Sequence, residues 1–259
     1  AGLVGSEMCI RDSHSQEAMN RFIKLGSIHR SNVYLDTLIS PSFTSAVAQA
    51  IQLPSVSGKD TNAIMFEFSR EDPEYIEEIL GTVPLVKSTE FDICLLGTSE
   101  RGYGAMHSIH IWVTPEDLNN GGLMILLGYV IMGHKDWKNA EIKITALIPE
   151  KQIEDYEKKL KREVKEGRLP ISQQNIELIE RKPEVDMKEI ISYRSKDDDL
   201  IMIGFQYNTL KKLGKQMFEG YDDLSNIMFV HASMAKQVTI EDEEIESDTL
   251  PEPEQEPVS

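Results

Sequence analysis

Between His107 and Ile148 the chain reads as an apolar strand, HSIHIWV, then a polar turn over Asn119, Asn120, Gly121 and Gly122, then an almost wholly apolar helix containing LMILLGYVIM. The connector HKDWKN leads into a second strand, AEIKITALI. The helix constrains the fold more than any other segment. Its apolar run from Leu123 to Met132 is ten residues, whereas a helix that crosses a bilayer needs about 20. A helix that is apolar on most sides yet too short to span is predicted to be buried in a soluble α/β domain or at a subunit contact.

The rest of the chain alternates short apolar runs with helical patterns. Strands are predicted over Asn32–Asp36, Ala63–Phe68, Phe91–Gly97, Ser108–Val113, Glu141–Ile148, Ile176–Glu180, Leu200–Phe205 and Ile227–His231. Helices are predicted over Ser15–Gly26, Ser42–Leu53, Pro73–Leu80, Leu118–Gly133, Glu150–Glu166, Asp186–Ser195 and Thr209–Glu219. Continuous apolar strands separated by helices imply a mostly parallel sheet covered on both faces. The order strand–helix–strand–helix–strand occurs around Ser31–Gly97 and again over Glu141–His231, which suggests two α/β halves at 14–148 and 149–236. The polar stretch Thr98 to Gly104, TSERGYG, is expected to be a flexible loop.

The formal net charge of −17 is concentrated at one end. Nine acids and no base lie between Glu241 and Ser259, leaving about −8 over the remainder. With three prolines and little to bury, the segment 237–259 is expected to be a disordered acidic tail. The acidic balance argues against nucleic-acid binding, which depends on Lys and Arg neutralising phosphates. At the other end, LVGSEMCIRD (Leu3–Asp12) resembles the in-frame translation of a sequencing adapter. Residues 1–13 are therefore set aside, with native sequence expected from Ser13 or His14 and an upstream part missing. That removes Cys9 and leaves Cys94, in FDICLLG, as a small buried hydrophobe in a reducing compartment.

No motif specifies catalysis, a metal or a cofactor. Gly97, Gly102 and Gly104 precede a strand rather than a helix, so they do not form a phosphate loop. Asn119 to Gly122 do open a helix, where an Asn could cap it, but a tight strand-to-helix connection is the plainer reading. His107 and His110, three apart in a strand, fall on opposite faces and suit surface or loop positions. His134 is expected to end the apolar helix. His231 is expected near a sheet edge without a visible partner. Catalytic, metal-binding and cofactor-binding residues are expected to be absent, and the chain is expected not to be an enzyme.

Taken together, HIWVTPEDLNNGGLMILLGYVIMGHKDWKNAEIKI resembles a signature in the cytosolic C-terminal domain of the cation–chloride cotransporters. The residues that carry the likeness are Trp112, Gly121, Gly122, Leu123, Tyr129 and Trp137; NVYLDTLISPSFTSAVAQAI also resembles that family's preceding strand and helix. The short connector and the lack of long insertions bring the chain nearer to prokaryotic cotransporters and the wider amino acid permease superfamily. This resemblance implies two universal-stress-protein-like subdomains on the cytoplasmic face of a membrane, attached to a transmembrane domain absent from this chain and forming a homodimer. It also implies that Leu123, Leu126, Leu127, Tyr129 and Val130 fill the core or meet a twofold mate. DLIMIGF resembles the universal-stress strand that precedes a nucleotide-binding glycine loop, but Gln206, Tyr207 and Asn208 stand where glycines are required.

Overall fold

A computed structural model describes residues 20, 38–53, 61–71, 74–114, 118–158, 172–182 and 184–234. The elements run α1 (Phe43–Gln52), β1 (Ala63–Ser69), α2 (Glu74–Ser88), β2 (Asp92–Thr98), β3 (Ser108–Val113), α3 (Leu118–Met132), β4 (Glu141–Ile148), β5 (Ile176–Glu180), α4 (Met187–Ser195), β6 (Leu200–Gly204), α5 (Tyr207–Leu213) and β7 (Asn226–His231). The predicted Ser15–Gly26 helix lies, apart from Asn20, outside the described residues, as do the Asn32–Asp36 strand, residues 159–166 of the Glu150–Glu166 helix, residues 1–13 and the 237–259 tail.

The strands form one seven-stranded sheet in the order β1-β2-β7-β6-β3-β4-β5. Every neighbouring pair is parallel except β2 and β7, which run antiparallel with Leu95 opposite Phe229. The units β1–α2–β2 and β6–α5–β7 are both parallel strand–helix–strand pieces, and they meet edge to edge across that seam. The expected α/β class with a mostly parallel sheet and flanking helices is what the chain forms. The expected division at 148/149 does not coincide with any break in the sheet. β3 pairs with β6 as well as β4, so that boundary cuts through a single set of parallel strands; strand direction changes instead between β2 and β3. Pairing depends on which strand edges the crossovers leave open, and periodicity along the chain does not record that.

Two apolar layers sandwich the sheet. On one face Ile76, Ile79, Val83 and Val86 of α2, Ile191 of α4 and Leu210 of α5 pack on strand residues such as Phe68, Leu95, Ile203 and Phe229. On the other, Leu123, Met124 and Ile125 of α3 cover Ile109, Ile111, Ile142, Ile144, Met202 and Val230. β6 and β7 are buried along their whole length, which is why they read as unbroken apolar runs rather than alternations. α3 can sit this close because it has Gly128, where a Cβ would lie only 2.9 Å from Ile142 Cδ1.

Several helix boundaries follow their sequence signals, and two do not. Ser42 caps α1 by accepting from Ser45 N–H at 3.2 Å, and Asp186 caps α4 by accepting from Lys188 N–H at 3.0 Å. α2 continues past the expected stop at Leu80, through Gly81 and Pro84. Val83 and Val86 are fully buried. Burying each is worth about 1.5–3 kcal/mol, comparable to the cost of roughly 3 kcal/mol for an interior proline. The last predicted helix instead breaks at Gly214, whose φ of 54° is left-handed, and residues Gly214–Phe218 tighten into a 3-10 turn.

The 98–107 loop is pinned rather than flexible. The Asp199 carboxylate accepts from the backbone N–H groups of Ala105 (2.9 Å), His107 (2.6 Å) and Ser108 (3.1 Å). Asn226 Oδ1 accepts from Ser99 N–H at 2.9 Å, and Arg101 donates to the carbonyls of Asp223 and Lys196. Gly104, at φ 51°, leaves room for the Asp199 carboxylate beneath the turn. These partners lie about 90 to 130 residues away in sequence, so the polar composition of TSERGYG could not reveal them.

Candidate functional site

In open α/β sheets ligands bind at the carboxyl ends of the strands, where neighbouring crossovers diverge. Here that point lies between β3 and β6, and the chain's own side chains fill it. Asn120, buried in the first turns of α3, donates from Nδ2 to the Phe205 carbonyl at 3.0 Å and accepts at Oδ1 from Ala232 N–H at 2.8 Å. His231 Nδ1–H donates to the same Phe205 carbonyl at 3.1 Å, and its ring lies 5.3 Å from the Phe205 ring. Asn120 is thus a bolt between α3, β6 and β7 rather than a helix cap. His231 sits in the sheet interior opposite Ile93, with a defined partner, rather than at an edge. A Cβ at Gly121 would lie 3.6 Å from Val113 Cγ1, and Gly122 is half-buried; both glycines lie within the helix rather than in a turn before it.

A second polar constellation lies between the sheet and α4. His110, expected at the surface, is buried. Its Nδ1 is 2.7 Å from Asp198 Oδ2 and 2.9 Å from Ser195 Oγ, while its Nε2 is 2.8 Å from Thr145 Oγ1. Because a carboxylate only accepts, Nδ1 carries a proton. Ser195 Oγ also accepts from the Trp112 indole N–H at 2.8 Å. Lys143 Nζ lies 3.0 Å from the other Asp198 oxygen. Burial works to raise the Asp198 pKa, but the hydrogen bond and charge from His110 and those from Lys143 outweigh it, holding the carboxyl below its ordinary value. A cavity of about 270 Å³ opens beside this cluster, lined by His110, Lys143, Thr145, Asn175, Glu177 and Arg194 among others. Across it Arg194 Nη1 reaches both Glu177 oxygens, at 2.7 and 2.8 Å.

The remaining predicted residues divide between core and surface. Leu123 is in the core, and Leu127 and Tyr129 are partly buried against it. Leu126 and Val130 are 43% and 66% exposed. Trp137 is buried, with its ring 5.7 Å edge-on to Tyr103, while Trp112 belongs to the opposite face of the sheet. His134 follows α3 and lies 3.6 Å from Asp136; His107 is exposed. Cys94 is buried, and its thiol is pushed up to about 12 by burial and by the charge of Asp92. Among the described residues no helix is long and apolar enough to cross a membrane, and no cluster could hold a metal ion.

The fold is shared with solved structures of three kinds. The chain is similar to the cytoplasmic domain of a prokaryotic cation chloride cotransporter, at TM-score 0.50 and 16% identity over 73% of this chain and 69% of that one. It is also similar to a candidate universal stress protein from Pseudomonas aeruginosa, at TM-score 0.50 and 15% identity, covering 83% of this chain and 77% of that one. A functionally unknown protein from the same species matches at TM-score 0.51 and 14% identity, with the same coverage. No family model matches. No curated protein matches either. At such identities the likeness is one of fold.

The sequence reading missed the His110 cluster because its members lie up to 88 residues apart. One local signal was available. His110 and Trp112 are two apart in an apolar strand, hence on one face, and a polar ring placed there must find a buried partner.

Proposed function

We propose that this chain serves as the cytosolic regulatory and dimerisation domain of a cation–chloride cotransporter-like or amino acid permease-like membrane protein, acting without catalysis. The carrying observation is the outer face of α3. Leu126 and Val130, four apart on one helical stripe beside the half-buried Tyr129, stand exposed on a helix whose other side is core. An apolar stripe left uncovered suits contact with a second copy. The shared fold with a cotransporter cytoplasmic domain supports the reading. Sedimentation of the purified chain at high micromolar concentration tests it. A dimer is expected, reverting to monomer in L126D/V130D with an unchanged melting temperature. A wild-type monomer at that concentration removes the support.

The alternative is a universal-stress-like nucleotide-binding protein, favoured by the similarity to a candidate of that kind. The Asn120–Phe205–His231 plug weighs against it, since a nucleotide at the switch point would have to displace buried, hydrogen-bonded side chains. Calorimetry with ATP separates the two readings; micromolar binding would favour the alternative.

A further inference from the structure

The cavity beside His110 is a second place where the chain can meet a ligand, and its charges select among ligands. Lys143 and Arg194 line it from β4 and α4, and Glu177 from β5. Asp198, which neutralises Lys143, is itself buried and held by His110, so it remains in place. Glu177 and Arg194 are 55% and 40% exposed, and an ion pair that open to water contributes only about 0–1 kcal/mol. Their contact can therefore be exchanged for contacts with a bound molecule. Arg194 uses only Nη1 on Glu177. Asn175 donates from Nδ2 to the Ile142 carbonyl, which leaves its side-chain oxygen as an acceptor.

Lys143 and Arg194 are balanced by Asp198 and Glu177, so a simple anion would have to compete with carboxylates already seated. A molecule carrying both signs meets no such excess. Its carboxylate can take Arg194 and Lys143 while its ammonium takes Glu177 and the Asn175 oxygen, leaving every charge compensated. The volume, about 270 Å³, falls just short of the roughly 300–1,000 Å³ usual for drug-sized ligands, which suits a smaller molecule. We infer that the cavity between β4, β5 and α4 binds a small zwitterion of the α-amino-acid class. This goes beyond the transporter-domain reading and stands whether or not that reading holds.

The test is calorimetry and proton–nitrogen NMR on the whole chain with L-serine and L-glutamine, against acetate, methylammonium and inorganic phosphate. Saturable binding of at least one amino acid is expected, with signals of Thr145 and the His110 ring shifting on titration. R194M and K143M should each weaken it about tenfold or more, the loss of one charge-assisted contact. Both side chains are half-exposed, and a melting curve verifies folding; if either variant melts early, E177Q replaces it and should weaken the amino acid, which loses the partner of its ammonium, while acetate, relieved of a competing carboxylate, is not weakened. The inference is overturned if no amino acid binds saturably, if acetate or phosphate binds as tightly as the amino acids, or if folded R194M or E177Q binds like the wild type.

Discussion

The side-chain amide of Asn120 donates to the Phe205 carbonyl at 3.0 Å, tying the start of α3 to the end of β6. Its oxygen holds Ala232 N–H at 2.8 Å, so one buried residue joins three elements at the mouth of the sheet. In N120A, Phe205 keeps His231 as a donor while Ala232 N–H loses its acceptor. Leaving one buried donor unpaired costs about 1–3 kcal/mol. Urea denaturation should show a lower midpoint of that size with an unchanged slope.

Asp198 should matter more. In D198N the buried carboxylate is lost while Lys143 and the His110 ring remain facing its place. Removing one member of a buried, hydrogen-bonded ion cluster costs about 3–5 kcal/mol. Thermal unfolding of D198N should therefore fall well below that of K143M, whose removed ammonium is half-exposed.

The same carboxyl gives the stability a pH dependence. Its folded-state pKa lies below the ordinary 3.8, so the unfolded chain binds a proton more readily than the folded one. The stabilisation is fully present above the ordinary value and is lost as pH falls through it toward the lower folded value. Melting temperatures between pH 5 and pH 2 should drop less steeply in D198N than in the wild type.

Cys94 should be inert to iodoacetamide near neutral pH in the folded chain, because its thiol, pushed up to about 12, supplies almost no thiolate. Mass spectrometry should find it alkylated only after denaturant is added.

Gly104 should resist substitution. At φ 51° an L-residue costs about 1–2 kcal/mol, and any Cβ there collides with the Asp199 carboxylate. G104A should lower the urea midpoint accordingly. It should also speed amide exchange at Ala105 and His107, which donate to Asp199.

What could be read in advance had local causes. α3, with the expected start and nearly the expected end, follows from a run of apolar residues longer than any strand needs. The helices expected from Ser42 and from Asp186 do start there, because in each a short acceptor side chain directly precedes an apolar periodic segment. The errors had distant causes. α2 outlasts Pro84 because Val83 and Val86 find a sheet to cover, and the 98–107 loop is fixed by Asp199 and Asn226 from beyond β5. His110 misled for the same reason: its partners come from β4, from the end of α4 and from the approach to β6.

The antiparallel join of β2 and β7 has a consequence for how the molecule responds to dilution. Two strand–helix–strand units facing each other across such an edge would, on separate chains, associate only above some threshold concentration. Here both units belong to one polypeptide, which gives each a fixed and high effective concentration of the other. That edge therefore stays closed however dilute the protein becomes, and among the described strands the outer edges of β1 and β5 alone remain for a further strand to join.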